Sequence, residues 1–248
     1  MVIIAPLVAI AVLVIAGACG ARLFQLARWE FSSFGDHLIF SVGLGLYVFA
    51  VGVFVLGIAG LLHQVIFLLL LTALALLCRL QAFHLLRGVA RWVVELRGGD
   101  RSPLQLVLGW MLGTVLLLNG VIALAPLTGS DPMQYHFVFP KLFAKAHSIQ
   151  PIYWDLNSFF LGTPHMLILL GMELGSDRIA LALNFGVYIL SVLALWRLSE
   201  TFLPKPYPIL AALLFAVTPM VYWEASSGYV DLWGALYTIL ALVAMLTW

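Results

Sequence analysis

Long apolar runs without a charged residue limit what this chain can fold into more than any other feature. Residues 2–21, 38–61 and 104–126 are runs of this kind. A helix of about 20 apolar residues is long enough to cross the hydrocarbon core of a bilayer. Because lipid offers no hydrogen bonds to the backbone, a chain that crosses it forms helices or a closed barrel. The runs are continuous and do not alternate with polar residues, which favours helices.

Composition indicates the same class of protein. Of the 248 residues, 64% are hydrophobic and only 9% are charged, with a net charge of +1. A soluble domain carries about 25% charged residues, so lipid must cover much of this surface. No block of basic residues indicates nucleic acid as a partner. We therefore expect an all-α, polytopic integral membrane bundle in contact with membrane lipids.

The apolar runs predict about seven transmembrane helices. They lie at residues 2–21, 38–61, 65–82, 104–126, 178–197, 208–223 and 231–248. Lys and Arg collect in cytoplasmic loops, and here they collect between the first two runs, between residues 79 and 103, and near residue 200. The N-terminus and residues 127–177 and 223–231 then lie outside.

That topology requires that the short apolar run at residues 158–174 does not cross the membrane. We expect an interfacial or re-entrant helix there, as part of a large first outer loop. The final run ends without an exit loop or a basic anchor, so we also expect the chain to be part of a longer protein.

The first outer segment concentrates titratable side chains directly after a span. Asp131 precedes Pro132, which is a common start of a helix in which the carboxylate caps free N–H groups. A carboxylate at the membrane surface can instead accept a proton from a hydroxyl group. His136 and Lys141 could then stabilise a phosphate leaving group, although exposed lysines often face only solvent or lipid headgroups.

Two further acids, Glu224 and Asp231, flank the short second outer segment. Asp231 can cap the last helix, and Glu224 can anchor the top of its span. Two carboxylates at this surface could also share a divalent cation, Mg²⁺ or Mn²⁺, that bridges to phosphate. Tryptophans near the span ends, among them Trp233, are typical of an aromatic belt.

Three stretches resemble the GT-C superfamily of polytopic membrane glycosyltransferases. They are SDPMQYHFVFPKLFAKAHSIQPI, LNSFFLGTPHMLILLGMELGSDRIALALN and PILAALLFAVTPMVYWEASSGYVDLW. The chain looks most like bacterial relatives of the dolichyl-phosphate-mannose protein mannosyltransferases and the lipid A aminoarabinose transferases. Their pattern places an Asp and then Tyr-His in the first outer loop, and a P…YxD element at the second. The resemblance divides the chain into three extra spans with an Arg-rich cytoplasmic loop at 1–103 and a truncated core at 104–248.

The resemblance implies the site residues. Asp131 matches the acid that such enzymes use as general base, and Tyr135 with His136 matches the Tyr-His pair. Asp231, together with Glu224, matches an acidic position that binds metal or phosphate in some members.

Lys141 and His165 complete the expected substrate contacts, although an isolated histidine usually packs or caps a helix. The resemblance further implies an inverting transfer of a sugar from a polyprenyl-phosphate donor to a lipid, glycan or protein acceptor. The reaction would take place at the outer face of a bacterial inner membrane.

Two other classes of function remain open. A transporter or flippase needs ionisable groups or broken helices at mid-membrane. Asn119 and Asn184 are the nearest candidates there, and neither ionises. A non-catalytic membrane subunit or fragment is the third alternative.

Overall fold

The computed structural model describes residues 4–98, 102–160 and 162–247, and these residues form helices and connecting turns without a strand. The expected all-α architecture is therefore confirmed over the described residues. The helices are α1 (Ile4–Leu26), α2 (Phe34–Ile58), α3 (Gln64–Leu77), α4 (Arg79–Gly98), α5 (Pro103–Ile122), α6 (Val138–Ala146), α7 (Thr163–Glu173), α8 (Asp177–Glu200), α9 (Tyr207–Val217), α10 (Pro219–Ser227) and α11 (Asp231–Thr247). A π-helical turn at Pro132–His136 and a 3₁₀ turn at Leu156–Phe160 lie in the loop before α7.

Four helices, α1, α2, α5 and α8, are long and apolar enough to cross a membrane. Two bent pairs, α3 with α4 and α9 with α10, meet the same criterion when each pair is taken as one span. The described residues thus provide four to six candidate spans by length and composition, and α11 is a shorter apolar helix. An integral membrane protein is supported, with fewer clear spans than the expected seven.

The apolar run at 65–82 does not form one straight helix. Its helix α3 ends at Leu77, and the chain turns by 73° before α4 continues from Arg79. The 14 residues of α3 rise about 21 Å, which is less than the roughly 30 Å of a hydrocarbon core. The Arg-rich segment expected as a loop is mostly helix α4, with Arg79, Arg87 and Arg91 exposed.

Helices α1 and α2 cross with their backbones in contact. A Cβ atom added to Gly20 would overlap the Ser41 carbonyl oxygen, and one added to Gly45 would overlap the Ala16 carbonyl oxygen. Small residues at a crossing let membrane helices approach this closely. Helix α8 lies at the centre of the bundle, where it packs against α1, α2, α7, α9, α10 and α11. The two halves expected from the resemblance are thus in extensive contact.

Polar contacts define the two ends of the bundle. At one end, the Arg197 guanidinium of α8 donates to both carboxylate oxygens of Asp36 on α2, each at 3.0 Å. At the other end, the backbone N–H of Ile149 donates to the carbonyl of Gly57 at 2.9 Å. The start of α2 therefore lies beside the end of α8, and the segment between α6 and α7 lies beside the end of α2. This grouping agrees with the loop sides expected from charge.

Helix α7 occupies the run at 158–174. Its 11 residues rise about 16 Å, too little to cross a bilayer. Most of its side chains are buried against α2, α6 and α8, so this helix is enclosed by protein.

Candidate functional site

The carboxylate of Asp131 lies in the loop after α5 and is held by two hydroxyl groups. Ser130 Oγ donates to Oδ1 at 3.0 Å, and the Tyr135 hydroxyl donates to Oδ2 at 3.0 Å. Asp131 makes no side-chain cap to the turn that follows, so the capping alternative is wrong. Among the described residues no backbone N–H donates to its oxygens, and the carboxylate is half-buried.

The turn after Asp131 explains how the neighbouring side chains are arranged. Pro132 starts a π-helical turn, which closes when the Phe137 N–H donates to the Pro132 carbonyl at 3.1 Å. This wide turn brings the Tyr135 hydroxyl back to Asp131 and directs His136 into the protein, where 5% of it is exposed. Burial and the Asp131 carboxylate raise the pKa of Tyr135 to about 12. The phenol therefore keeps its proton and remains a donor.

The second outer segment meets this turn through Tyr229, which follows the end of α10. Its hydroxyl lies 3.2 Å from Ser130 Oγ, and its ring lies 6.1 Å from that of His136 and 4.4 Å from that of Trp223. Gly228, with φ +86°, ends α10 in a left-handed conformation that suits glycine. Sequence reasoning did not select Ser130 or Tyr229, although Tyr229 is the Tyr of the YxD element.

His136 and His165 form a buried pair. Nδ1 of His136 lies 2.8 Å from Nε2 of His165, and the Gly162 N–H donates to Nδ1 of His165 at 3.0 Å. Pro164 sits in the first turn of α7, and His165 folds back onto the amide that precedes the helix, as a capping residue does. Burial lowers the pKa of His136, and this effect exceeds that of the Asp131 and Asp231 carboxylates, which raise it. Burial also lowers the pKa of His165, to about 4, and His136 adds to this effect.

We refer to these residues as the outer cluster. Its members are Ser130, Asp131, Tyr135, His136, His165 and Tyr229.

The two acids of the second outer segment lie close to the outer cluster. Asp231, at the start of α11, is exposed, and its charge acts on both Tyr135 and His136. Glu224 on α10 is buried and lies within electrostatic reach of Asp231. The structure thus brings the expected metal pair towards the expected base.

These two acids offer only part of the set of ligands that a Mg²⁺ or Mn²⁺ ion needs. No group of three or more His, Cys, Asp or Glu side chains with metal-binding geometry occurs within the described residues. Mg²⁺ is often held by one or two carboxylates together with waters and substrate phosphates. Glu224 and Asp231 match that minimal donor set.

Lys141 is not brought into the outer cluster. It is exposed on α6, and among the described residues its ammonium group forms no hydrogen bond or ion pair, although its backbone N–H donates to the Phe137 carbonyl at 3.1 Å. The opposite face of α6 is buried through Phe139 and Phe143, so the lysine faces away from the protein core. Its contact with a phosphate stays a prediction.

Two buried asparagines support the second outer segment. Asn119 Nδ2 donates to the Tyr222 carbonyl at 2.6 Å, and Asn184 Nδ2 donates to the Glu224 carbonyl at 3.3 Å. Trp233 Nε1 donates to Asn184 Oδ1 at 2.9 Å, and this tryptophan is buried, so the aromatic-belt interpretation is wrong for it. Asn119 lies on α5 and Asn184 on α8, so these bonds tie the short helix α10 to both of its neighbours.

A groove of about 580 Å³ lies beside the start of α7. Its walls come from α2, α6, α7 and the loop between α6 and α7, and they are mainly apolar, with Tyr47, Phe54, Phe143 and Met166 among them. Tyr47 and Phe54 are also about half exposed on the outside of the bundle. The groove is therefore open on the lipid-facing side of α2.

Comparisons of the chain with protein-family models, curated proteins and solved structures gave no match. The chemistry of the outer cluster must therefore be inferred from its own side chains. A surface carboxylate stands beside a neutral imidazole and a second carboxylate, which places a proton acceptor and a hydrogen-bond donor at one site.

Proposed function

We propose that the protein is a GT-C-type membrane glycosyltransferase with about seven transmembrane helices. It transfers a sugar from a polyprenyl-phosphate donor to a lipid, glycan or protein acceptor at the outer face of a bacterial inner membrane. The four long helices, the two bent pairs and α11 would make up the seven spans. The observation that carries the proposal is the Asp131 carboxylate, held by Ser130 and Tyr135 where the two outer segments meet.

In this proposal Asp131 is the general base. It takes the proton from the acceptor hydroxyl or amine as that group attacks the anomeric carbon of the donor. The new bond to the sugar forms while the bond between the sugar and the phosphate oxygen breaks, with inversion at the anomeric carbon. The polyprenyl phosphate leaves with the electron pair. Ser130 and Tyr135 fix the direction of the carboxylate, which favours attack in a single geometry.

The departing phosphate develops negative charge that the site must stabilise. In the proposal, a hydrogen bond from the buried His136 ring is the contribution that the outer cluster itself offers. The exposed Lys141 lies outside the cluster, and its contact with the phosphate stays a prediction. Glu224 and Asp231 supply the carboxylate oxygens that Mg²⁺ or Mn²⁺ prefers, and such an ion would neutralise phosphate charge when bound.

The lipid-facing groove beside α7 supports a donor with a hydrocarbon tail. Its mainly apolar walls suit a polyprenyl chain that stays in the membrane while the phosphosugar reaches the surface. Gly162 lies at the groove and donates its N–H to His165, which connects the groove to the outer cluster.

The test is sugar transfer in membranes that contain the wild-type chain, Asp131→Asn or Asp177→Asn. Radiolabelled polyprenyl-phosphate sugars are supplied as a panel, and label is followed into lipid, glycan and protein. We expect Asp131→Asn to reduce transfer by about 100-fold or more, because the loss of a general base typically costs that much. Asp177→Asn is the matched control, since Asp177 is an exposed acid in the first turn of α8.

The outcomes separate the candidate functions. Full transfer by Asp131→Asn would remove Asp131 from its role as base. If no donor supports transfer by any of the three proteins, the glycosyltransferase proposal fails and a lipid-flipping assay on the same membranes examines the flippase alternative. Absence of both activities favours a non-catalytic membrane subunit.

A further inference from the structure

The contact between His136 and His165 requires one ring to donate a hydrogen bond to the other. The two ring nitrogens are 2.8 Å apart, which is a hydrogen-bond distance. Neutral imidazole has one N–H donor and one acceptor nitrogen, so the direction of this bond fixes which nitrogen of each ring carries hydrogen.

The backbone of Gly162 settles the direction. Its N–H can only donate, and it lies 3.0 Å from Nδ1 of His165, so that nitrogen accepts. Neutral His165 must then carry its hydrogen on Nε2, which donates to Nδ1 of His136. By the same rule neutral His136 carries its hydrogen on Nε2. A single chain of donors therefore runs from Gly162 through His165 to His136.

The surroundings keep both rings neutral. His136 and His165 are 5% and 4% exposed, and burial disfavours the charged form of imidazole. Around His136, the carboxylates of Asp131 and Asp231 favour protonation, but burial outweighs them and its pKa is lowered. The phenols of Tyr135 and Tyr229 face the same ring.

A second proton would also break the chain of donors. Protonated His136 would carry a hydrogen on Nδ1, and this hydrogen would face the one on Nε2 of His165, so that neither nitrogen could accept. His165 could then accept only after moving its own hydrogen to Nδ1, which would abolish the bond from Gly162.

We propose that His165 is a positioning residue that fixes neutral His136 as its Nε2–H tautomer, so that His136 donates a hydrogen bond to a phosphate or sugar oxygen of the donor. The identity of that ligand rests on the proposed glycosyl transfer, whereas the tautomer does not. His165 itself has both nitrogens engaged by Gly162 and His136. It therefore acts through His136 and makes no substrate contact of its own, and Asp131 is left as the base.

The first test measures the tautomer without any enzyme assay. Full-length protein labelled with ¹⁵N-histidine is placed in nanodiscs at pH 7, and the ring nitrogens are observed by NMR. Signals are assigned by their loss in His136→Asn and His165→Gln. We expect both rings to be neutral, with hydrogen on Nε2. A His136 ring that is charged, or that carries its hydrogen on Nδ1, overturns the proposal.

The second test asks whether His165 imposes the tautomer. In His165→Gln, the side-chain amide can accept from Gly162 and donate to His136, so His136 should stay in the Nε2–H form. In His165→Phe both bonds are lost, and His136 should become a mixture of tautomers. His84→Phe is the control, because His84 is exposed on α4. An unchanged His136 spectrum in folded His165→Phe overturns the proposal, and if that variant does not fold, the wild-type spectrum still decides it.

The third test connects the tautomer to turnover. We expect kcat for sugar transfer to fall at least about tenfold in His165→Phe, because a wrongly oriented donor stabilises leaving-group charge poorly. His165→Gln should stay within about threefold of wild type, by the same reasoning. Equal losses in both variants would mean that the hydrogen bonds of His165 do not set turnover, which overturns the proposal. If the wild-type chain transfers no sugar, the proposed function fails while the NMR result still stands.

Discussion

At the scale of single residues, the Asp131 carboxylate and the His165 imidazole of the outer cluster differ in how deeply they are buried. Asp131 is half-buried and accepts from two hydroxyl groups, which suits a carboxylate that exchanges protons with a ligand. His165 is buried and has both nitrogens in hydrogen bonds, which suits a ring that stays neutral at pH 7. The same division predicts how the stability of the protein depends on pH.

We expect His165 to make the protein less stable in acid. Its pKa is about 4 in the folded protein, whereas an unfolded histidine has a pKa of about 6.5. Between these values the unfolded chain binds a proton that the folded chain excludes, so stability falls as the pH drops from 6.5 towards 4. This difference corresponds to about 3 kcal/mol in the free energy of unfolding.

The measurement is unfolding in detergent at pH 7 and pH 4, for wild type and for His165→Gln. Because the glutamine does not titrate, it should lose about 3 kcal/mol less than wild type over this interval. Equal losses in the two proteins would show that His165 does not resist protonation.

The residues of the outer cluster differ in how far sequence could reveal them. Asp131 and Tyr135 are four residues apart, so local spacing suggests that they interact. Ser130 and Tyr229 are separated by 99 positions, and only the packed helices bring their hydroxyl groups to 3.2 Å. In the sequence His165 is an isolated histidine in a short apolar run, and its pairing with His136 depends on how α7 packs.

At the scale of the elements, hydropathy indicates where helices form better than how they are joined. The run at 65–82 is apolar throughout most of its length, yet the chain bends by 73° after α3. Apolar composition indicates that a segment is buried in lipid or protein, but it does not indicate the angle between one helix and the next. The break follows from the arginines of α4, which are costly in the centre of a bilayer and favour its surface.

Of two glycines in α2, Gly45 lies at the crossing with α1 and Gly52 does not. We expect Gly45→Ala to destabilise the protein by about 3 kcal/mol or more, because its Cβ would overlap the Ala16 backbone and force the helices apart. A Cβ added at Gly52 meets no atom of the described residues within 4 Å. Gly52→Ala should be neutral or stabilising by up to about 1 kcal/mol, since Ala is the better helix former.

Thermal unfolding in detergent, with both variants measured beside wild type, checks this difference. Equal stability of Gly45→Ala and Gly52→Ala would contradict the close crossing of α1 and α2.

At the scale of the whole molecule, the distribution of charge and the packing of the helices agree on two ends. The ion pair between Asp36 and Arg197 marks the end that charge assigns to the cytoplasm. The outer cluster lies towards the opposite end, because α6 leads from its turn at 132–136 to Ile149, which contacts Gly57 at the end of α2. The sequence predicts these two sides because the Lys and Arg content of each loop can be read without knowledge of how the helices pack. The number of spans could not be derived in this way, since it depends on bends that only packing determines.

Sidedness can be tested with single added cysteines, because the native Cys19 and Cys78 are both buried and give little background. We expect an impermeant maleimide to label Tyr153→Cys and Asp177→Cys in intact cells, since these exposed positions lie on either side of α7. Lys205→Cys should react only after the membrane is made permeable, because charge places its loop in the cytoplasm.

The pattern of labelling decides how α7 sits. If Tyr153→Cys reacts from outside and Asp177→Cys reacts only after permeabilisation, then the segment that contains α7 crosses the membrane. Asp131 and Asp231 would then lie on opposite sides of the bilayer, where they could not serve one reaction. Labelling of both positions from outside keeps the two acids on a single surface. That common surface is what the electrostatic effect of Asp231 on Tyr135 and His136 requires.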